Sequence, residues 1–330
     1  MFEDGLAIWV LFGLFVGVAL AVDLGLIGAI RRLAGLKPQA VYETSAFRQG
    51  LTWTIVWIGL AAVFAVLILL QLGQDKMLEF VTGYVVEKSL SVDNMFVFLL
   101  IFSSLGVPHA MQHRVLSVGI LSAIAMRIPL IIVGVSLLET FHWMIFVFGG
   151  MLLLTAARMI VQKNEKKIEV EKNLAVRMLK KVIPVSAELH NGKFLTRIGG
   201  VLYATPLLVA LVIVEMTDLV FAIDSIPAVL AITSDHFIVI TSNVFAILGL
   251  RSLYFLLAGM MEKFYYLKPA LIALLLFIGV KMIASEVLHI PVTASLVAIG
   301  SILGGALVLS AVRVKREKAA RTPDSGGRIE

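Results

Sequence analysis

Residues 87–94 read Glu87-Lys88-Ser89-Leu90-Ser91-Val92-Asp93-Asn94 and interrupt an apolar run over residues 78–102. A lipid-facing helix could not hold these acids, because a carboxylate at the bilayer centre costs on the order of 3 kcal/mol. A second stretch, Glu215-Met216-Thr217-Asp218-Leu219-Val220-Phe221-Ala222-Ile223-Asp224-Ser225, repeats the pattern in the other half of the chain. We therefore predict that the two stretches face each other and bind a metal ion within the membrane.

The composition indicates a polytopic membrane protein. The chain has 330 residues, 60% of them hydrophobic and 15% charged, whereas soluble domains are about half apolar and a quarter charged. The formal charge of +6 comes from basic residues in loops and in the tail. That distribution points to anionic lipid headgroups rather than nucleic acid. The absence of cysteine excludes disulfides, thiolate nucleophiles and thiol redox relays.

Nine segments are long and apolar enough to cross a bilayer, which takes about 20 residues each. The first follows an acidic start, so we interpret it as a retained helix rather than a secretory signal. The sixth is too long for one straight span and must tilt, break or re-enter. The nine predicted spans are residues 6–30, 51–72, 78–102, 114–138, 141–161, 199–231, 237–260, 268–286 and 292–312.

The basic residues predict the topology. They cluster in alternate loops, all on one face of the nine-span arrangement, so the positive-inside rule places the N-terminus outside and the C-terminus in the cytoplasm. Residues 162–198 are predicted to be a cytoplasmic loop whose part 163–181 forms an amphipathic surface helix. Residues 314–330 are predicted to be a disordered cytoplasmic tail.

The two halves of the chain contain an internal repeat of the form acid-x5-Asp-(Asn or Ser). The matching pairs are Glu87 and Asp218, Asp93 and Asp224, Asn94 and Ser225, Arg127 and Arg251, and Arg158 and Lys281. The two aspartate spans run in opposite directions in the predicted topology. Residues 78–161 and 199–286 are therefore predicted to be inverted three-helix repeats, a plan typical of secondary transporters. Residues 1–77 supply two helices before the repeats, and 287–313 supply the last one.

The spacing of the acids bears on how they could share an ion. In an ideal helix, acid-x5-acid separates two side chains by roughly 120°. Pro227 removes a backbone donor, so we expect the second helix to unwind and turn its acids and freed carbonyls toward one ion. The first copy has no such proline. The structural alternative is that the acids pair with Arg127, Arg251 or Lys88.

The available donors are oxygens, which suit Mg²⁺, Ca²⁺ and Mn²⁺. The predicted metal ligands are Glu87, Asp93, Asn94, Glu215, Asp218 and Asp224. The predicted supporting or gating residues are Ser89, Thr217, Ser225, Arg127 and Arg251, with Asp23 as a further candidate.

Both quoted stretches, together with residues 202–207 and 241–251, resemble the TerC family of bacterial integral membrane proteins and are most similar to its alkali-inducible Alx branch. The resemblance implies a LysE-like transporter fold, export of Mn²⁺ across the inner membrane and an association with tellurite resistance. The acidic motifs of the family fall on the six predicted ligands without a gap.

We therefore expect an all-α, polytopic secondary transporter that exports Mn²⁺ by alternating access in exchange for protons. Its expected partners are a divalent metal ion as substrate, protons and the lipid bilayer, with no organic cofactor. One alternative is a membrane scaffold or sensor in tellurite or stress resistance that transports nothing. An enzyme is disfavoured, because Ser89 and Ser225 have no histidine base within the membrane, and no nucleotide-binding motif is present.

Overall fold

A computed structural model of the chain describes residues 2–23, 46–161, 174–186, 188–258, 265–285, 287–288 and 290–321. These residues form mainly α-helices, with one short hairpin and a single 3₁₀ turn at His190–Gly192. In chain order the elements are α1 Phe2–Asp23, α2 Ala46–Leu72, α3 Gln74–Ser104, α4 His109–Thr140, α5 Met144–Val161, α6 Leu174–Val182, β1 Leu195–Ile198, β2 Val201–Ala204, α7 Pro206–Leu230, α8 His236–Ile247, α9 Leu250–Ala258, α10 Leu267–Ala284 and α11 Val292–Arg321.

The described helices make this a polytopic membrane protein with fewer apolar spans than the predicted nine. Six helices are long and apolar enough to cross a membrane, or seven spans if α8 and α9, which meet at a 42° bend, count as one. In α1 the described apolar stretch, Ile8–Ala21, is shorter than a span. The 31-residue α3 is long enough but too charged, because it carries the residues that form the candidate site.

Two predicted spans have different boundaries in the structure. The segment 199–231 begins as β2, which pairs antiparallel with β1, and becomes helical only at Pro206. Proline suits the first helical turn, because its missing N–H has no partner there and its φ is already fixed. The resulting α7 has 25 residues, the length of one span, so the sixth segment needs no break inside the membrane.

The seventh predicted segment, 237–260, is the one that breaks. Gly249 separates α8 from α9 with a φ of +81°, a conformation that favours glycine. A Cβ built on Gly249 would also lie 2.5 Å from the ring of Trp57 on α2. Both the backbone angle and the close approach of α2 therefore require glycine at the bend.

The two halves of the chain pack against each other through several helix pairs. Helix α3 packs against α8 and α7, α4 packs against α7, and α5 packs against α10. Helix α2 lies against α3 and α9, and α11 lies against α3 and α10. The candidate site lies among α3, α4, α5, α7 and α8, where residues from both halves meet.

Polar contacts at one end of this group set the relative direction of α3 and α7. The ammonium of Lys76, at the start of α3, lies 2.9 Å from the Asp235 carboxylate, and Thr233 donates to Glu79 at 2.7 Å. Burial acts to lower the pKa of Lys76, but hydrogen bonds to Asp235 and Glu79 outweigh it, and the pKa lies above its usual value. Since Thr233 and Asp235 follow the end of α7, α3 begins where α7 ends and the two helices are antiparallel.

Gly149 and Gly279 bring the backbones of α5 and α10 together. A Cβ built on Gly149 would lie 3.1 Å from the carbonyl oxygen of Gly279, and a Cβ on Gly279 would lie 3.1 Å from that of Gly149. Small residues that allow such close approach are a main source of helix association in membranes. The neighbouring Gly150 would place its Cβ in open space, with nothing within 4 Å.

We expect Gly149→Leu to separate α5 from α10 and to destabilise the protein by about 1–3 kcal/mol, the usual cost of overpacking. Gly150→Leu, one residue along the same helix, is the matched control and should have much less effect. The melting temperature of each purified variant in detergent measures the difference. An equal loss in both variants would contradict the contact between the two glycines.

Candidate functional site

The two acidic stretches lie on α3 and α7, and both helices are continuous through them. The unwinding predicted from Pro227 is therefore wrong. Pro227 is buried inside α7 without ending it, because packing against neighbouring helices compensates for the one backbone hydrogen bond that is lost. In an unbroken helix the six-residue spacing keeps its offset of roughly 120°. The acids of each helix consequently face in different directions, and the six predicted ligands are divided among three places.

The first place is a buried ion cluster around Arg127 of α4, which we call the Arg127 cluster. The guanidinium is 1% exposed and donates to Glu87, which is 0% exposed. It also donates to Asp218, with Nη2 lying 3.0 Å from Oδ1, and reaches Oδ1 of Asn243 at 3.4 Å. Glu87 and Asp218 are thus paired with Arg127, as the alternative of pairing with basic side chains predicted, and they are not open to a metal ion.

The Arg127 cluster contains a residue that sequence reasoning missed. Asn243 on α8 is fully buried, accepts from Arg127, and donates from Nδ2 to the Val239 carbonyl at 3.0 Å. The available signal was an amide at the centre of an apolar segment, the same signal that identified Asn94. It went unused because no acid lies beside Asn243 in the sequence.

Lys88, next to Glu87, has a separate structural role. Its ammonium donates to the carbonyl oxygens of Ala246 at 3.1 Å and Leu248 at 3.3 Å. These carbonyls lie at the end of α8, where the bend at Gly249 leaves them without helical partners and the helix dipole is negative. Lys88 therefore stabilises the break between α8 and α9 rather than pairing with an acid of the predicted metal site.

The second place is a cavity of about 490 Å³ that we call the aspartate cavity. Asp93 and Asn94 of α3 and Asp224 and Ser225 of α7 line it together. The two half-buried aspartates, one from each half of the chain, thus share one space. The hydroxyl of Thr155 on α5 donates to Asp224 Oδ1 at 2.9 Å, a contact that the sequence did not predict.

The cavity wall adds an unsatisfied donor and a cationic rim. The Ser225 hydroxyl is buried without a hydrogen-bond partner among the described residues. Arg158 and Lys268 also line the cavity and are both exposed, so they lie toward its mouth. The aspartate cavity therefore offers two carboxylates, an amide and a free hydroxyl, with two cations at its entrance.

The third place is a small cavity of about 20 Å³ lined by Glu215, Asp218, Gly119 and Arg251. Both carboxyl oxygens of Glu215 are buried without a hydrogen bond of normal geometry from any described residue. The nearby Ser122 hydroxyl donates to the Val118 carbonyl at 2.9 Å. Glu215 is thus set apart from the aspartate cavity.

The remaining predicted residues lie outside the aspartate cavity. Arg251 contacts His113 Nε2 at 3.0 Å and Ser117 Oγ at 3.2 Å. Ser89 and Thr217 donate to carbonyls of their own helices, at 2.6 Å and 2.7 Å, and so supply no free donor. The side chain of Asp23 lies outside the described residues.

No group of three or more His, Asp or Glu side chains in the described part of the chain is arranged to hold a metal ion. The expectation that all six predicted ligands converge on one ion is therefore wrong for this structure. The reason is helical geometry, since straight helices cannot turn residues six apart toward one point. Asp93 and Asp224 are the two carboxylates that remain together in an accessible space.

We expect Arg127→Met to destabilise the protein by about 3–5 kcal/mol, because it leaves two buried carboxylates uncompensated. The triple variant R127M/E87Q/D218N should recover most of that stability, since it buries no unpaired charge. Arg158→Met, which removes an exposed arginine, is the matched control and should change little. Melting temperatures in detergent report the result, and a triple variant no more stable than Arg127→Met would show that the loss is not electrostatic.

Comparison with known proteins identifies the family. Residues 72–319 match the family described as "Integral membrane protein TerC family". The chain is 44% identical to "Uncharacterized membrane protein STKORF319" of Myxococcus xanthus over 306 residues, covering 93% of this chain and 92% of the relative. It is 41% identical to "Putative membrane-bound redox modulator Alx" of Escherichia coli strain K12 over 312 residues, covering 92% and 94%.

A more distant relative, "Uncharacterized membrane protein" of Rickettsia bellii, is 34% identical over 305 residues, covering 92% of this chain and 97% of the relative. No solved structure gives a significant match. The family match spans α3 to α10 and therefore all the residues of the aspartate cavity and the Arg127 cluster. The chain belongs to the TerC family of integral membrane proteins.

Proposed function

We propose that this protein is a divalent metal transporter that exports Mn²⁺ across the bacterial inner membrane by alternating access, coupled to protons. The observation that carries the proposal is the aspartate cavity, in which Asp93 and Asp224 come from opposite halves of the chain and share about 490 Å³. Acids within a membrane that line a cavity are typical of ion pathways.

The helix packing supports an inverted repeat of the LysE-like kind. In the proposed repeat, α3 is equivalent to α7, α4 to α8–α9, and α5 to α10. The packing follows this equivalence, because the contact between α3 and α8 has its counterpart in the contact between α7 and α4. The α5–α10 and α3–α7 contacts each join two equivalent helices. The antiparallel α3 and α7 fit the same relation. Transporters built in this way place the ion between the repeats near the midplane, and the proposal assigns that position to the two aspartates.

The donor set supports a hard divalent ion. Asp93, Asn94, Asp224 and Ser225 offer carboxylate, amide and hydroxyl oxygens, and these suit Mn²⁺, Mg²⁺ or Ca²⁺. The choice of Mn²⁺ rests on the family resemblance. We assign these four residues as the metal-binding set and the Arg127 cluster as the rigid support that joins the repeats. In this proposal the aspartates hold the metal when ionised and release it when protonated.

The distribution of basic residues supports the direction of the protein in the membrane. Arg158 and Lys268 lie at the mouth of the aspartate cavity, on the side of the basic segment 162–198. By the positive-inside rule this side is cytoplasmic, with the N-terminus outside and the C-terminus inside. A cavity open on that side is suited to loading an ion from the cytoplasm for export.

Two rival functions involve no transport. One is a membrane scaffold or sensor in tellurite or stress resistance, for which the acids are structural. The other is suggested by the redox-modulator name of the relatives. A redox role in this chain would have to work without thiol exchange, because the chain has no cysteine. Neither rival explains why the two aspartates line an accessible cavity instead of pairing with Arg127.

Purified protein in proteoliposomes should move Mn²⁺, and Asp93→Asn and Asp224→Asn should each lower the flux at low metal concentration. The loss should be at least about tenfold, since even indirect partners of a metal ligand change affinity by about 10–100-fold. Flux is followed with a metal-sensitive dye in the lumen, with Mg²⁺ and Ca²⁺ as competing ions and with and without a pH gradient.

Asp75→Asn provides the matched control, because Asp75 is an exposed acid at the start of the same helix as Asp93. It should transport like the parent. Absence of flux for every metal tested, or full flux in both aspartate variants, would contradict the proposal and favour a scaffold or sensor.

A further inference from the structure

A second cavity lies at the opposite end of the same helices, and we call it the Lys281 cavity. It has a volume of about 680 Å³ and is lined by residues that include Ile145 of α5, Ala231 after α7, and Lys281 and Ser285 at the end of α10. The aspartate cavity instead opens near the end of α5 and the start of α10, at Arg158 and Lys268. The two cavities therefore open toward opposite sides of the membrane.

The two cavities are built from equivalent positions of the repeat. The alignment of Asp93 with Asp224 makes Leu100 of the aspartate cavity equivalent to Ala231 of the Lys281 cavity. The alignment of Arg158 with Lys281 likewise makes Lys268 equivalent to Ile145. Lys268 lines the aspartate cavity and Ile145 lines the Lys281 cavity. The Lys281 cavity is thus the inverted counterpart of the aspartate cavity.

The two cavities differ in depth. In the aspartate cavity, half-buried Phe96 and Val97 of α3 form the wall between the mouth and Asp93. Their counterparts on α7, Pro227 and Ala228, are buried, with Ala228 0% exposed. The Lys281 cavity therefore ends at Ala231, about 10 Å of helix short of Asp224 at 1.5 Å per residue.

Beside the closed end of the Lys281 cavity, the face of α7 opposite Ala228 packs tightly against α4. A Cβ built on Gly134 would lie 3.2 Å from a methyl group of Leu230 and 3.4 Å from one of Ile226. Both side chains are 5% exposed. The closing residues Pro227 and Ala228 are apolar and buried, so the segment can separate from its neighbours without breaking an ion pair.

Lys281 is a residue suited to a water-filled cavity. The residue is 9% exposed, and no described residue accepts a hydrogen bond from it. A lysine buried in a membrane-spanning helix is costly unless it faces a partner or a water-filled space. The Lys281 cavity provides that space.

We propose that the Lys281 cavity is the other half of the ion path, closed in this structure at Pro227–Ala228 and opened when the path reverses. The inference rests on the proposed transport function, and it assigns this structure to the state open toward Arg158 and Lys268. Separation of α7 from the helices that cover Ala228 exposes this residue and joins the Lys281 cavity to the two aspartates.

The chain has no cysteine, so single-cysteine variants report on one position each. Right-side-out and inverted vesicles are treated with a charged, membrane-impermeant methanethiosulfonate reagent. Val97→Cys should react from one side and Ala231→Cys from the other. Ala228→Cys should also react from the Ala231 side. Its rate should be about 0.1–10% of the rate of Ala231→Cys, because only the minor, reversed state exposes it. The rate should change when a Mn²⁺ gradient is imposed.

Ala210→Cys is the matched control, because Ala210 is also on α7 and 0% exposed but lines neither cavity. It should remain unreactive from both sides. Ala228→Ser, which the reagent cannot modify, shows whether the position tolerates the added atom. If Ala228→Cys does not accumulate, Ser225→Cys replaces it and should react quickly from the Val97 side and slowly from the Ala231 side.

A protein that transports metal while Ala228→Cys and Ser225→Cys never react from the Ala231 side would overturn the assigned path. Reaction of Val97→Cys and Ala231→Cys from the same side would also overturn it. If no metal is transported but Ala228→Cys reacts from the Ala231 side, the path stands and the proposed cargo is wrong.

Discussion

The Arg127 guanidinium holds the two halves of this protein together. It joins Glu87 of α3 and Asp218 of α7 and reaches Asn243 of α8 from its own helix α4. In a membrane interior none of these groups can be left unpaired, because a lone buried charge costs several kcal/mol. The cluster therefore determines how α3, α4, α7 and α8 lie against one another, and the positions of the other acids follow from it.

With that arrangement in place, helical geometry separates support from function. Each of α3 and α7 has one acid in the Arg127 cluster and another six residues later, turned by roughly 120° toward the aspartate cavity. The paired acids are neutralised by Arg127 in the core, while Asp93 and Asp224 remain in a space that an ion can enter. The same six-residue spacing in both repeats thus supplies two carboxylates that pair with Arg127 and two that line the cavity.

The sequence was most informative where charge interrupts apolar segments. Both acidic stretches, their repeat and their membrane setting follow from composition and spacing alone, because burying a charge in lipid is too costly to be accidental.

The sequence did not predict the contacts of Asn243 and Thr155 or the role of Lys88. Each acts through a contact between residues distant in the sequence, and a single buried amide or hydroxyl leaves little trace in a hydrophobic segment. The break expected at Pro227 was wrong because packing outweighed the loss of one hydrogen bond, whereas Gly249, given no role in advance, bends its helix.

By itself the sequence determined that this is a polytopic membrane protein with two related acidic stretches, since hydrophobicity and the cost of buried charge are properties of each segment. Only the tertiary structure decided which acids meet. Glu87 and Asp218 face Arg127, Asp93 and Asp224 share a cavity, and Glu215 lies apart. That division depends on helices staying straight and on the angle at which they pack, and neither is contained in the spacing of residues along one segment.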